Sequence, residues 1–149
     1  MPMEWQDKEF TALTVDELQR IYWLRAQVFN AEQQSSYPEP DEQDRHCHHL
    51  FAREGEQVVA YARYFATADG VSFGRVVVAK AYRGTGVGKA LLQHLLAGIK
   101  RHFPGQAITI HAQTPVVGYY QQAGFEVVGQ PFMEAQREHV TMVHPGMEG

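Results

Sequence analysis

Six residues near the middle of the chain, Arg83-Gly84-Thr85-Gly86-Val87-Gly88, have the composition of an anion site. They follow the β-branched run Val76-Val77-Val78. They precede a stretch in which Val87, Leu91, Leu92, Leu95, Leu96 and Ile99 recur with helical period. A helix start presents unpartnered backbone N–H groups at the positive end of its dipole. Glycines let that backbone approach a phosphate without a Cβ in the way, and they accept unusual φ. Arg83 and Lys89 add positive charge on either side, which completes a pyrophosphate cradle. The common nucleotide loops fit worse. A P-loop needs Ser or Thr where Ala90 stands and a glycine where Arg83 stands, and a dinucleotide fingerprint needs its third glycine at Lys89. A flexible turn would explain the glycines alone, but not a strand, an arginine and a helix in this order.

Three other groups of residues carry chemistry. An imidazole has an ordinary pKa of about 6.5, and His111, at the end of a predicted strand, is a candidate general base. A lone strand histidine is also a common structural group, and deprotonation of the acceptor by water is the alternative. Glu32, Glu39, Asp41 and Asp44 concentrate negative charge that would draw a cationic amine. Equally, Asp41 and Asp44 can pair with Arg25, Arg63 and Arg75 as ion pairs that shape the loop. His46-Cys47-His48-His49 invites a metal, but neighbours on a strand point to opposite faces and cannot converge on one ion, so no metal is expected.

The elements that must position these groups read as one α/β domain spanning 1–149, without repeats or linkers. Residues 5–10 suggest an edge strand. Thr14 and Glu17 form a capping box, followed by apolar residues at helical spacing to about Asn30 or Glu32. The Pro-containing segment 33–44 reads as an ordered loop with a short helical turn. Strands are expected over 50–53 and 58–66, joined across Glu54-Gly55-Glu56, and over 71–79 after the turn Ala68-Asp69-Gly70. Pro104-Gly105 ends the central helix. A strand over 107–112, a short helix over 116–122 closed by Gly124, and strands over 125–128 and 138–143 complete the chain.

Arg83, Gly86 and Gly88 meet the pattern Gln/Arg-x-x-Gly-x-Gly/Ala of the GNAT superfamily of N-acetyltransferases, and Tyr120-x-x-x-Gly124-Phe125 is similar to a second element of that family. The resemblance implies a mixed, twisted central β-sheet of six to seven strands, flanked by about four helices and splayed between the fourth and fifth strands. It implies acetyl-CoA as co-substrate. Residues Arg83, Gly84, Thr85, Gly86, Val87, Gly88 and Lys89 would hold its pyrophosphate, and the strand Val76-Val77-Val78 would pair with the pantetheine arm through Val76 and Val78. Gln113 stands where many relatives carry an asparagine that contacts the cofactor. Tyr120 takes the place of the general acid that protonates the departing thiolate. A phenol of pKa about 10 stays protonated at neutral pH, which suits that task. Packing in the core with a satisfied hydroxyl is the plain alternative for the same residue.

The N-terminal half, with Trp5-Gln6-Asp7, Leu24, Arg25, Val28, Phe29, Glu32, Gln33, Tyr37, Asp41, Asp44, His49, Leu50 and Ala60-Tyr61-Ala62-Arg63, is similar to the ElaA branch of that superfamily. The candidate acceptor residues are therefore Arg25, Phe29, Glu32, Asp41, Asp44 and Arg63. Part of the same pattern also resembles acyl-homoserine-lactone synthases, which use S-adenosylmethionine but are longer and lack the two later motifs. A CoA-binding sensor without catalysis is the rival from another class.

Composition narrows the partners. A net charge of −4 lacks the basic excess of a nucleic-acid binder. Cys47 is the sole cysteine, so no intrachain disulfide can form. No signal peptide or membrane span is visible, and the cytoplasm is the expected compartment. The expected partner is a small-molecule or peptide amine acceptor. Homodimers, common in the superfamily, would pair exposed C-terminal strands.

Overall fold

The computed structural model describes residues 3–35 and 38–149; Tyr37, part of the ElaA-like pattern, lies outside the described residues. Seven strands form one sheet in the order β1-β2-β3-β4-β5-β7-β6. They are β1 (Glu4–Glu9), β2 (His48–Glu54), β3 (Gln57–Ala66), β4 (Val71–Val78), β5 (Ile108–Gln113), β6 (Glu126–Glu134) and β7 (Arg137–His144). Neighbours are antiparallel except β4 and β5, which run parallel. Among the described residues the α-helices are α1 (Val15–Arg25), α2 (Val87–His102) and α3 (Val117–Gln121).

Helix α1 begins on the expected capping box. The Thr14 hydroxyl accepts from the Glu17 N–H at 3.0 Å, and the Glu17 carboxylate accepts from the Thr14 N–H at 2.9 Å. Beyond Arg25 the chain continues as a π-helical stretch, Ala26–Glu32, which accounts for the expected helix length. About four helices were expected. Among the described residues the segment 33–44 supplies a 3₁₀ turn that continues to His46, and Pro40 just before it removes a donor that a longer helix would need.

The two faces of the sheet bury different helices. Leu91, Leu92, Leu95 and Ile99 of α2 pack with Leu50, Ala62, Tyr64 and Phe73 in the larger core. Ile21, Leu24 and Val28 pack with Phe51, Tyr61 and Val77 on the other side. Gly98 permits the close approach of α2, since a Cβ there would lie 2.6 Å from an Asp7 carboxylate oxygen and 2.8 Å from the Tyr64 hydroxyl. Among the described residues no helix is long and apolar enough to cross a membrane.

The feature that shapes the site is the parting of β4 from β5. Their pairing is confined to Val71 with Ile108, near the start of both strands. On its other edge β4 shifts register against β3, with Gly74 opposite Arg63 and Val77 opposite Tyr61. Arg75 sits inside that irregularity with φ of 53°, a left-handed conformation costly for a residue with a Cβ. The bulge increases local twist and turns the C-terminal half of β4 away from β5, which opens the wedge expected between the fourth and fifth strands.

Candidate active site

The wedge encloses a cavity of about 410 Å³, floored by Phe73 and Tyr120 and walled by β4 and β5. On the donor side the chain leaves β4, makes a 3₁₀ turn at Lys80–Tyr82 and enters the glycine turn. Gly84 has φ of +76°, and Gly86, the N-cap of α2, has φ of +90°. A Cβ at either position would meet nothing within 4 Å, so the turn faces open space, as a cradle for a phosphate must. The N–H groups of the first turn of α2 have no intrahelical partner. Gly88 lies under Tyr119, whose ring is 3.8 Å from where a Cβ would stand and whose hydroxyl donates to the Gly88 carbonyl. Val87 is buried in the core, Lys89 is exposed, and the Thr85 hydroxyl donates to the Tyr82 carbonyl. Val76 and Val78 are partly exposed along the wedge, whereas the Val77 side chain packs beneath α1. The residues present therefore fit a pyrophosphate and an extended arm.

Arg83 is engaged in two ways. Its Nε donates to the Val78 carbonyl at 3.0 Å, and its guanidinium forks onto Glu32 at 2.5 and 3.1 Å. The hydrogen bond from Arg83 holds Glu32 below the usual carboxylate range. Glu32, expected on the acceptor side, thus belongs to the glycine turn.

Tyr120 stands on α3, which a 3₁₀ turn with Pro115 near its start leads into and Gly124 (φ +99°) closes. The Phe125 N–H donates back to the Tyr120 carbonyl at 3.2 Å, a Schellman-type ending. Its ring packs 5.8 Å from Phe73 and 5.7 Å from Phe125, and the residue is 6% exposed with its remaining surface on the cavity. Burial pushes the Tyr120 phenol well above its ordinary range, and the neighbouring Tyr119 adds to that shift. Burial likewise pushes Tyr119 up to about 12.

His111 and Gln113 line the opposite wall on β5. His111 Nδ1 lies 3.0 Å from Glu134 Oε1. A carboxylate only accepts, so Nδ1 carries the hydrogen, and in the neutral ring Nε2 is the basic atom.

The charged loop resolves into a buried network of three guanidiniums and three carboxylates. Arg25 Nη1 donates to Asp44 at 2.7 Å and its other nitrogen to Glu39. Arg63 donates to Asp44 at 2.8 Å and to Asp41 at 2.9 Å, and Arg75 holds Glu39 and Asp41. Burial by itself would raise the Asp44 pKa, but hydrogen bonds and charge from Arg25 and Arg63 outweigh it and hold the carboxyl low. The hydrogen bond from Arg63 does the same for Asp41 despite burial. His49 closes the base of the network. Its Nε2 lies 2.8 Å from the Asp44 carbonyl and so donates, which leaves Nδ1 to accept from the Tyr61 hydroxyl at 2.6 Å. Burial lowers its pKa and favours this neutral form.

Of the six residues expected around the acceptor, Phe29 and Arg63 line the cavity. Arg25 is 0% and Asp44 1% exposed, beneath the surface, and Asp41 is turned to Arg63 and Arg75. The ion pairs have a simple cause: arginines on α1, β3 and β4 stand where the loop's carboxylates can neutralise them. Glu134, Arg137 and His139, not anticipated from sequence, ring the same cavity. They come from the β6–β7 hairpin, whose tip Ala135-Gln136 has two left-handed residues and no glycine or asparagine to announce the turn.

Of the four residues 46–49, His46 ends the 3₁₀ turn and only His48 and His49 lie on β2, where they diverge as alternation requires, His49 into the ion network and His48 to the other face. There His48 joins Asp7 and His102, whose ligand-type atoms lie within 4.8 Å of one another. The two imidazoles are stacked, 4.5 Å apart and 23° from parallel, so their in-plane lone pairs run side by side and do not meet at one point.

The model of the acetyltransferase (GNAT) domain family matches residues 12–144. ElaA of Escherichia coli is 32% identical over 145 residues, 94% of this chain and 95% of ElaA, and its crystal structure superposes with a TM-score of 0.90. The crystal structure of an acyl-CoA N-acyltransferase from Pseudomonas aeruginosa gives a TM-score of 0.91 at 32% identity, covering 96% of this chain and 99% of that one. The acyl-homoserine-lactone synthase BjaI, with a TM-score of 0.78 at 17% identity over 95% of this chain and 82% of its own, shares the fold alone. By its wedge, its glycine turn and these likenesses, the chain belongs to the GNAT superfamily of acetyltransferases, in its ElaA-like branch.

Proposed function

We propose that residues 1–149 form one acyltransferase domain that moves an acyl group, acetyl in the first instance, from CoA to a primary amine by direct attack. The observation that supports this reading best is that Val76, Tyr119 and Tyr120 line one wedge, and that Tyr119 donates to the Gly88 carbonyl and so joins the glycine turn and Val78 to its edge. A bound acyl-CoA supplies the activated thioester. The glycine turn and the start of α2 neutralise its phosphates, with Arg83 and Lys89 alongside. Residues 76–78 and Gln113 guide the arm between the strands, and the wedge holds amine and carbonyl at attack distance.

As the nitrogen bonds to the carbonyl carbon and the carbon–sulfur bond breaks, the Tyr120 hydroxyl donates its hydrogen to the sulfur. Burial raises its pKa, which keeps the phenol protonated before transfer at neutral pH. His111, aligned by Glu134, takes the proton that the ammonium must lose before it attacks, and the second proton shed by nitrogen as the amide forms restores the Tyr120 phenol through the cavity. The acceptor is a small-molecule or peptide amine and the setting the cytoplasm. The edge strand β6, with Val127, Val128 and Met133 exposed, favours a homodimer.

The test is calorimetric titration of acetyl-CoA followed by an amine screen that reports free thiol. Saturable binding with amine-dependent thiol release is expected. Binding without turnover across the amine panel would leave a CoA sensor, and S-adenosylmethionine binding without acetyl-CoA binding would favour the synthase-like reading.

A further inference from the structure

The cavity's charges point to the kind of amine it accepts. Two carboxylates line it, and both are already engaged. Glu39 is held by Arg25 and Arg75, and its side chain is 2% exposed, while Glu134 accepts from His111. They leave little unbalanced negative charge for a polycation. Among the described residues, Arg137 at the mouth has no carboxylate within ion-pair distance; its one hydrogen bond goes to the Gln33 carbonyl at 2.7 Å. That bond ties the hairpin to the end of the π-helical stretch and holds the guanidinium at the edge of the cavity it lines.

The placement of this cation matters. Arg137 lies directly opposite Glu134 in the β6–β7 register, and residues so paired stand on one face with Cβ atoms about 4.5–5.5 Å apart. Glu134 in turn carries His111. A positive charge therefore shares the cavity with the group that would deprotonate the amine, with Glu134 as the residue that links the two. Arginine can bind a carboxylate in bidentate fashion, and its remaining N–H groups are free to do so.

We infer that the acyl acceptor is an amine that carries its own carboxylate, an amino acid or a short peptide, with Arg137 as the carboxylate anchor. This rests on the acyl-transfer reading and replaces the cationic acceptor suggested by the acidic loop.

The experiment compares free L-amino acids and dipeptides with their C-terminal amides as acceptors, using acetyl-CoA and thiol release. The wild type is expected to favour the carboxylates by tenfold or more in kcat/KM. Arg137→Gln should bring that ratio near one, mainly by raising KM, and Arg137→Lys should recover part of it. Amides used as well as carboxylates, or equal loss on both classes in Arg137→Gln, would overturn the inference while leaving acyl transfer intact. If CoA binds but no amine releases thiol, the transfer reading fails instead. The anchor is then judged by titrating the same amino acids and amides into CoA-loaded protein: carboxylate-dependent binding lost in Arg137→Gln upholds it, and no such binding refutes it.

Discussion

The two walls of the wedge are built from different materials. The donor wall is backbone: glycines in left-handed conformations, the first turn of α2 and the strand edge at Val76 and Val78. Its side chains are largely exposed, and Arg83 and Glu32 keep 41% of theirs in solvent. The acceptor wall rests on side chains, the buried network of Arg25, Arg63 and Arg75 with Glu39, Asp41 and Asp44. A backbone site tolerates changes that respect φ, whereas a buried charge network fails when any one member is lost.

The largest effect should come from the network. Asp44→Ala leaves Arg25 and Arg63 short of a buried counter-charge, and removing one partner of such a pair costs about 3–5 kcal/mol. A fall of that size in urea-unfolding free energy is expected, and a loss below about 1 kcal/mol would show that the network is a surface-like arrangement. On the donor wall, Gly86→Val should leave the fold standing yet weaken CoA binding by about 100-fold or more, since a branched side chain resists φ of +90° and fills the phosphate's space. Unchanged affinity in a calorimetric titration would break the cradle assignment.

The comparison also has a pH signature. Asp41 and Asp44 have lowered folded pKa values, so their stabilisation is present above the ordinary carboxylate value of about 3.9 and is lost as pH falls through the lower folded values. Asp44→Asn should flatten the stability–pH curve in that acid range and leave its shape above pH 6 alone. The smallest effect belongs to the exposed pair: Glu32→Gln frees Arg83 and should tighten CoA binding about two- to fivefold, fading with added salt. Weaker binding in that variant would mean that Glu32 positions Arg83 for the phosphates.

The same division governs what could be read from the chain. The donor wall is local: strand, Arg83, Gly86, Gly88 and the stripe of α2 are contiguous, so chemistry and element order arrive together. The capping box at Thr14 and the Gly124 ending are local in the same sense. The acceptor wall joins residues 25, 39, 41, 44, 63 and 75, and the choice between substrate contact and ion pairing depends on register and burial that no spacing encodes. Glu32, at the end of the π-helical stretch, pairs with Arg83 across 51 residues of chain, a contact that no local spacing encodes. The roles of Glu134, Arg137 and His139 were hidden because β6 runs through a register shift beyond Val128, past Gly129 and Pro131, which interrupt the strand pattern.

The central claim is that the wedge is a transferase site with Tyr120 as its acid, and Tyr120→Phe tests it most directly. The substitution keeps the ring between Phe73 and Phe125 and removes only the hydroxyl. Turnover of acetyl-CoA with a competent amine should fall by about 10²–10⁴ while the dissociation constant for CoA stays within about twofold. Undiminished kcat, with CoA affinity equally unchanged, would contradict the account and return Tyr120 to the core as a packing residue.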